Sequence, residues 1–235
     1  MRTAVRGYAE SDQKEFSKDS VGILQKACTD LSYLMERGYK IKGASVFVGN
    51  HYMLSERQRL SLVRTCSSKE DILLRRQKER TRLPKGETVC MDGFNTIITL
   101  EVALSLGLLL DCADGTIRDM AGLRGTYRII DKTEIAVSLL LNELKEEEIA
   151  KAEIYLDSPV SNSGRLKQLI MEMGKEYPFT IEVFVIPDVD RVLETKENVI
   201  TSDAIILNRC KSYYNMTRKI IRDKIPDAFV VRLYP

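Results

Sequence analysis

A single histidine, His51, stands in a chain of 235 residues, and its isolation excludes a good deal of chemistry. No multi-histidine zinc site can be built, and a Ser-His-Asp triad would have to use that one ring. Cysteine is sparse and unpatterned: Cys28, Cys66, Cys90, Cys112 and Cys210 form no C-x-x-C pair and are odd in number. That argues against a zinc ribbon or a disulfide framework, and all five read as structural, small hydrophobic side chains. No apolar run approaches the roughly 18 residues that a membrane span needs. The opening MRTAVRGYAESDQKEF has no apolar block of the kind a secretory leader carries, so the expectation is a cytoplasmic protein without a membrane partner. With histidine and cysteine set aside, carboxylates remain as the bases or metal ligands of any enzyme here, and their oxygens suit hard cations such as Mg²⁺ or Mn²⁺.

What is present is ordinary in bulk and uneven in distribution. The chain is 44% hydrophobic and 30% charged, enough apolar material for a real core. Its net charge of +2 hides 18 Lys and Arg against 11 Asp and Glu in residues 1–88, and 18 against 23 in the remainder. The basic half is suited to holding a polyanion. That half reads as helical: Val21, Leu24, Cys28, Leu31, Leu34 and Met35 recur at helical spacing. A short apolar stretch, Ala44–Val48, leads into Gly49-Asn50-His51-Tyr52, and Ser55 with Gln58 forms a capping box for a following helix. The run RRQKERTRLPK, 75–85, ends in Leu83-Pro84-Lys85-Gly86, which places a domain boundary there. A solvated helix and linker and a phosphate-contacting role both fit that run.

The second half alternates apolar strands with helical segments, the pattern of a parallel sheet covered by helices. Strands are expected at 88–91, 153–157, 180–186, 198–201 and 228–233, and helices at 96–105, 132–148, 163–175 and 203–222. SLGLLLD, 105–111, fits a strand or a helix end. The expected architecture is thus a mainly helical basic domain, 1–85, followed by a three-layer α/β domain with a mostly parallel sheet, 86–235.

Acidic residues recur where these apolar runs stop. TVCMDGFN places Asp92 after a strand, AEIYLD ends in Asp157, NVITSD leads to Asp203, and LLLD ends in Asp111 with Asp114-Gly115 behind it. Each alone has an ordinary explanation as a turn residue or helix N-cap. In a parallel sheet, however, these positions gather along one edge, where ligands bind in open α/β folds. Clustered carboxylates repel unless a cation or a shared proton neutralises them. A divalent ion held there would activate water and clamp departing phosphate oxygens.

DGFNTI and TSDAI resemble the first and late motifs of the PIN-like nucleases, especially their NYN branch, with YLDSPVS at the middle strand. The resemblance implies a PIN-like, Rossmann-like fold, metal-site roles for Asp92, Asp157 and Asp203, and a positioning role for Asn95. Such nucleases place a further acidic residue on an early or central helix; here Glu101, Asp111, Asp114, Asp119 and Asp131 compete for that place. The whole chain also resembles the archaeal and bacterial domain of unknown function 434 family, through DLSYLMERGYK, VGNHYMLSERQRLSLVR, MDGFNTIITLEVALS, DGTIRDMAGLRGTYR and LDSPVSNSGRL.

Several segments offer phosphate contacts. Arg118, Arg124 and Arg128 in DGTIRDMAGLRGTYR can form charge-assisted bonds, or the segment is a surface hairpin. Ser161, Asn162 and Arg165 surround a helix start able to take an anion, or make an ordinary cap. His51 and Tyr52 are candidates to stack on a base with Arg57, Arg59 and Arg64 tracking the backbone, although Tyr52 also suits the core. Together these features lead to an expected Mg²⁺- or Mn²⁺-dependent phosphodiesterase acting on RNA. The rivals are a non-catalytic RNA- or nucleotide-binding protein on the same fold, an interaction scaffold, and a Toprim-type site suggested by Asp188-Val189-Asp190.

Overall fold

The computed structural model describes residues 5–122 and 125–234. Five helices come first: α1 (Asp12–Glu15), α2 (Lys18–Glu36), α3 (Ile41–His51), α4 (Glu56–Thr65) and α5 (Lys69–Lys78). Ser17, Ser55 and Ser68 start three of them, each accepting the N–H three residues on, and Ser55 with Gln58 closes the expected capping box. The apolar stretch Ala44–Val48 belongs to α3, which buries Ala44 and Val48 four residues apart and leaves Val46 and Phe47 exposed.

The strands and helices that follow are β1 (Glu79–Arg80), β2 (Thr88–Asp92), α6 (Gly93–Leu104), β3 (Leu109–Asp111), β4 (Ile117–Asp119), α7 (Asp131–Glu146) and β5 (Lys151–Asp157). Then come α8 (Ser163–Gly174), β6 (Thr180–Ile186), α9 (Val189–Leu193), β7 (Val199–Ile200), α10 (Ala204–Arg209), β8 (Tyr213–Tyr214), α11 (Met216–Lys224) and β9 (Val230–Arg232). Six strands form one sheet in the order β1-β8-β7-β2-β5-β6, with every pairing parallel. The sheet is covered on both faces, as buried parallel strands require. Val89 and Met91 of β2 point into a core shared with α6, α7, α8 and α11, while Cys90 points the other way, towards α9 and α10. That alternation is the period-two geometry of a strand.

The expected helix over 203–222 is corrected by the structure into α10, β8 and α11. Tyr213 and Tyr214, aromatic and buried, fit a pleated surface better than a helix face. Tyr213 pairs with both β7 and β1. The strand expected at 228–233 forms, but in a second sheet of order β4-β3-β9. There SLGLLLD supplies β3, a strand rather than a helix end. The small sheet packs on the N-terminal helices: Leu108, Leu110, Met120 and Val231 share a core with Leu24, Leu31, Val48 and Leu62. β1 in turn carries the first half of the chain onto the edge of the large sheet. The fold is therefore a parallel α/β sheet with a helical N-terminal region, and the two halves interlock. Among the described residues, no helix is long and apolar enough to cross a membrane.

Candidate active site

The stretch VCMDGFN forms a strand-to-helix joint rather than a turn. β2 ends on Asp92, whose Oδ1 accepts the Asn95 N–H at 3.2 Å and so caps α6. Glycine follows because α6 starts hard against β5. A Cβ on Gly93 would lie 2.6 Å from Leu156 Cδ2, 2.9 Å from Ile154 Cγ2 and 3.0 Å from the Tyr155 carbonyl oxygen.

β7 lies beside β2, and its exit loop is tied to that joint. Ile200 is in register with Met91, which sets Thr201 level with Asp92. The Thr201 hydroxyl donates to Asp92 Oδ2 at 3.2 Å. Asn95 Oδ1 accepts from the Ser202 N–H at 2.8 Å and its hydroxyl at 2.9 Å. Asp203 then caps α10 through Oδ1, which accepts from Ile205 and Ile206. Asp203 Oδ2 receives no protein donor among the described residues. The chain runs from β2 out to β5 and β6, then returns to β7 and β8 on the opposite side, so the order of strands reverses between β2 and β7. Ligands in open parallel sheets bind at such a reversal, outside the carboxyl ends of the strands.

Charge marks the same place. Asp92 is 7% exposed, and the other buried carboxylates among the described residues are Asp12, Glu101, Asp111, Asp114, Asp119 and Glu143. Five of these seven are paired: Asp12 with Arg57, Glu101 with Arg6, Asp111 with Arg218 and Arg232, Asp114 with Arg75 and Arg118, and Glu143 with Lys219. Asp92 and Asp119 have no Lys or Arg partner among the described residues. Burial, reinforced by the charges of Asp203 and Asp157, pushes the Asp92 carboxyl up to about 7, against hydrogen bonds from Asn95 and Thr201. Asp157, at the end of β5, is raised by burial and then by Asp188. Asp190 is raised by desolvation of its carboxyl, then by Asp203 and Asp157. Asp157 stands two residues beyond the level of Asp92, a further advance of about 6.6 Å along the sheet.

A cavity of about 240 Å³ opens beside this edge, lined by Asn95, Arg118, Asp119, Ser202 and Asp203 from the α/β half and by Arg64, Cys66 and Ser67 from the helical half. Asp119 holds its place there through the Thr99 hydroxyl and the Ala121 N–H. Asp119 and Asp190 are the residues that sequence reasoning did not single out. One stood among five competing carboxylates and the other in the Toprim alternative.

The remaining candidates fall elsewhere. Asp111 lies at the far end of the small sheet, held by Arg218 and Arg232. Asp114 meets the site through Arg118, which donates to the Ser202 carbonyl at 2.7 Å and to the Arg64 carbonyl at 2.7 Å, and through Arg75, which donates to the Ser67 hydroxyl at 2.8 Å. Arg57 pairs with Asp12, Arg59 donates to the Leu54 carbonyl and to Asn50, and Arg64 donates to the Asp119 carbonyl. None of these three presents a free basic stripe. Tyr52 donates to Asp30 at 2.7 Å, beside exposed His51. Ser161 and Asn162 hold the backbone of Tyr127, Arg165 and Arg128 are exposed, and Arg124 lies outside the described residues.

Among the described residues, no three His, Cys, Asp or Glu side chains stand close enough to hold a metal ion together. The edge is thus not an all-protein cage. Its donor chemistry still fits Mg²⁺ or Mn²⁺. Mg²⁺ in particular usually keeps several waters and takes only one or two protein carboxylates.

Fold and site together define a parallel α/β protein with several carboxylates at the reversal of its strand order, of which buried Asp92 has no Lys or Arg partner among the described residues. The chain belongs to the family described as "Domain of unknown function (DUF5616)", which matches residues 82–219. Residues 23–78 match the family described as "Protein of unknown function (DUF434)". An uncharacterized protein of Methanocaldococcus jannaschii is 41% identical over 185 residues, which cover 78% of this chain and 88% of that relative. No solved structure matches the chain.

Proposed function

We propose that the protein is a divalent-cation-dependent phosphodiesterase acting on RNA, on a PIN-like arrangement of strands and acids. The observation that supports this most is the contrast among buried carboxylates. Five are neutralised by Arg or Lys, and the two that are not, Asp92 and Asp119, belong to the carboxyl edge and the adjoining cavity. A buried charge without a partner is costly, so an edge that keeps such charges is built to receive a positive one. One or two of Asp92, Asp157 and Asp203 would supply oxygen ligands, with water filling the rest of the shell, and Asp119 and Asp190 stand close by. A cation held there would lower the pKa of a water molecule and neutralise phosphate oxygens during an in-line displacement.

The chain's own residues set the geometry. Asn95 fixes Ser202 and with it Asp203, Thr201 orients the Asp92 carboxylate, and Arg118 holds the Ser202 carbonyl from behind. The cavity has the volume of about eight liquid waters, room for a phosphate group. A non-catalytic RNA- or nucleotide-binding protein on the same fold is the second reading, favoured by the lack of a converging three-carboxylate cage among the described residues. Labelled single-stranded RNA incubated with the protein separates the two. Cleavage with Mn²⁺ that stops in EDTA is expected; RNA binding with no metal-dependent cleavage would overturn the phosphodiesterase and leave the binding protein.

A further inference from the structure

Beyond Arg75, which pairs with Asp114, the run RRQKERTRLPK takes no part in the carboxylate site, yet it lines a large open cavity. α5 ends at Lys78, β1 adds Glu79 and Arg80 to the sheet edge, and Thr81 and Arg82 follow. Opposite stands α11. Between them lies an open groove of about 760 Å³ whose lining includes Arg76, Arg80, Arg82, Arg218, Lys219 and Arg222 against only two carboxylates, Glu79 and Glu147. A second cavity of about 650 Å³ shares Glu79, Arg80, Thr81, Arg82 and Glu147 and continues past Lys85 and Glu146, with acidic and basic residues in balance.

The cations on α11 have partners: Arg218 with Asp111, Lys219 with Glu143 and Glu147, and Arg222 with Asp223. Arg76, Arg80 and Arg82 are exposed and meet no carboxylate among the described residues. Pairing of Glu79 and Arg80 with Tyr213 and Tyr214 sets β1 on the rigid sheet rather than leaving the run as a free linker. Three guanidiniums with no carboxylate partner among the described residues thus line one wall of the groove, while the α11 cations opposite are already paired. That arrangement is relieved by a polyanion, and guanidinium forks match phosphate oxygens bidentately. The extent of the two adjoining cavities suits a chain of phosphates better than a single anion. Tyr214, the one aromatic residue lining them, is buried, so the groove has no ring on which bases would stack.

We infer that this groove binds the sugar-phosphate backbone of a single RNA strand, without sequence preference, as an anchoring site separate from the carboxylate edge. It lies at β1 and β8, three and two strand positions from β2, and it rests on the RNA reading proposed above. Replacing Arg76, Arg80 and Arg82 together by alanine leaves the core untouched, because all three side chains are exposed. Binding is read by fluorescence anisotropy with a labelled 20-nucleotide oligouridylate in EDTA, so that cleavage plays no part.

The triple alanine variant is expected to bind at least about ten-fold more weakly at moderate salt. Its plot of log affinity against log salt should be shallower by about 2, since each lost phosphate contact removes about 0.7 for a single strand. The triple lysine variant, which keeps the charges but loses the bidentate forks, should keep the wild-type salt slope and bind with an affinity between those of wild type and the alanine variant. Unchanged affinity and slope in the folded alanine variant overturn the groove. That result with Mn²⁺-dependent cleavage intact leaves the phosphodiesterase standing. Groove-dependent binding by a wild type that never cleaves overturns the phosphodiesterase and keeps the groove.

Discussion

Asp92→Asn is expected to slow RNA cleavage by on the order of 10³-fold or more while making the protein more stable at neutral and alkaline pH. Both effects have one cause. The carboxyl of Asp92 is buried, faces Asp203 and Asp157, and titrates near 7 in the folded chain, against about 3.9 in an unfolded one. A group whose pKa rises on folding contributes stability that is fully present below the unfolded value. That contribution is lost as pH climbs through the folded value. Wild type should therefore weaken between about pH 4 and pH 7, and the asparagine variant should not. A shift of about three units corresponds to roughly 4 kcal/mol, of which about 2–4 kcal/mol is expected after local relaxation. For a chain of this length that raises the melting temperature by roughly 5–15 °C. Asparagine is as good an N-cap as aspartate, so the start of α6 survives. Thermal melts from pH 4 to pH 8 check the prediction. Curves that stay parallel across that range would contradict the account of Asp92.

Asp114→Ala should act in the opposite direction. Its carboxylate sits between Arg75 of α5 and Arg118 of β4, both buried, and its Oδ1 also accepts the Thr116 N–H and hydroxyl. Burial pushes its carboxyl up, but Arg118, Thr116 and Arg75 prevail and hold it below the usual range. Removing the shared anion strands two buried guanidiniums, and breaking a buried pair in this way costs about 3–5 kcal/mol. A fall in melting temperature of about 10 °C follows for a chain of this size. Because Arg118 also carries the Ser202 carbonyl, cleavage should fall with stability even at temperatures where the variant is folded. Urea unfolding beside the cleavage assay tests both parts. A loss below about 1 kcal/mol, the level of an exposed pair, would show that the triad does not join the two halves as described.

The parts of this architecture that were legible in the sequence are those decided locally. β2 follows from its apolar run, whereas α6, expected from residue 96, begins three residues earlier at Gly93, directly after the Asp92 cap. β5 and β6 follow from their short apolar runs. What was not legible depends on residues distant in the chain. Thr201 meets Asp92 and Ser202 meets Asn95 across more than a hundred residues, and no local pattern announces those contacts. The arginines 57, 59 and 64 read as a basic surface because their partners, Asp12, Asn50 and the carbonyls of Leu54 and Asp119, cannot be located from spacing. The choice between Asp111 and Asp119 turns on the pairing of two three-residue strands, too short for alternation to show which carboxylate faces the cavity. The broken helix over 203–222 was hidden by apolar residues on either side of Tyr213-Tyr214, where sheet pairing overrides helical spacing.

The carboxylate edge as a cation site is the claim on which the functional account rests, and isothermal titration of Mn²⁺ into wild type and Asp92→Asn tests it most directly. Saturable binding to wild type that is lost in the variant is the predicted result. Absent binding to wild type, or equal binding to both proteins, would contradict it.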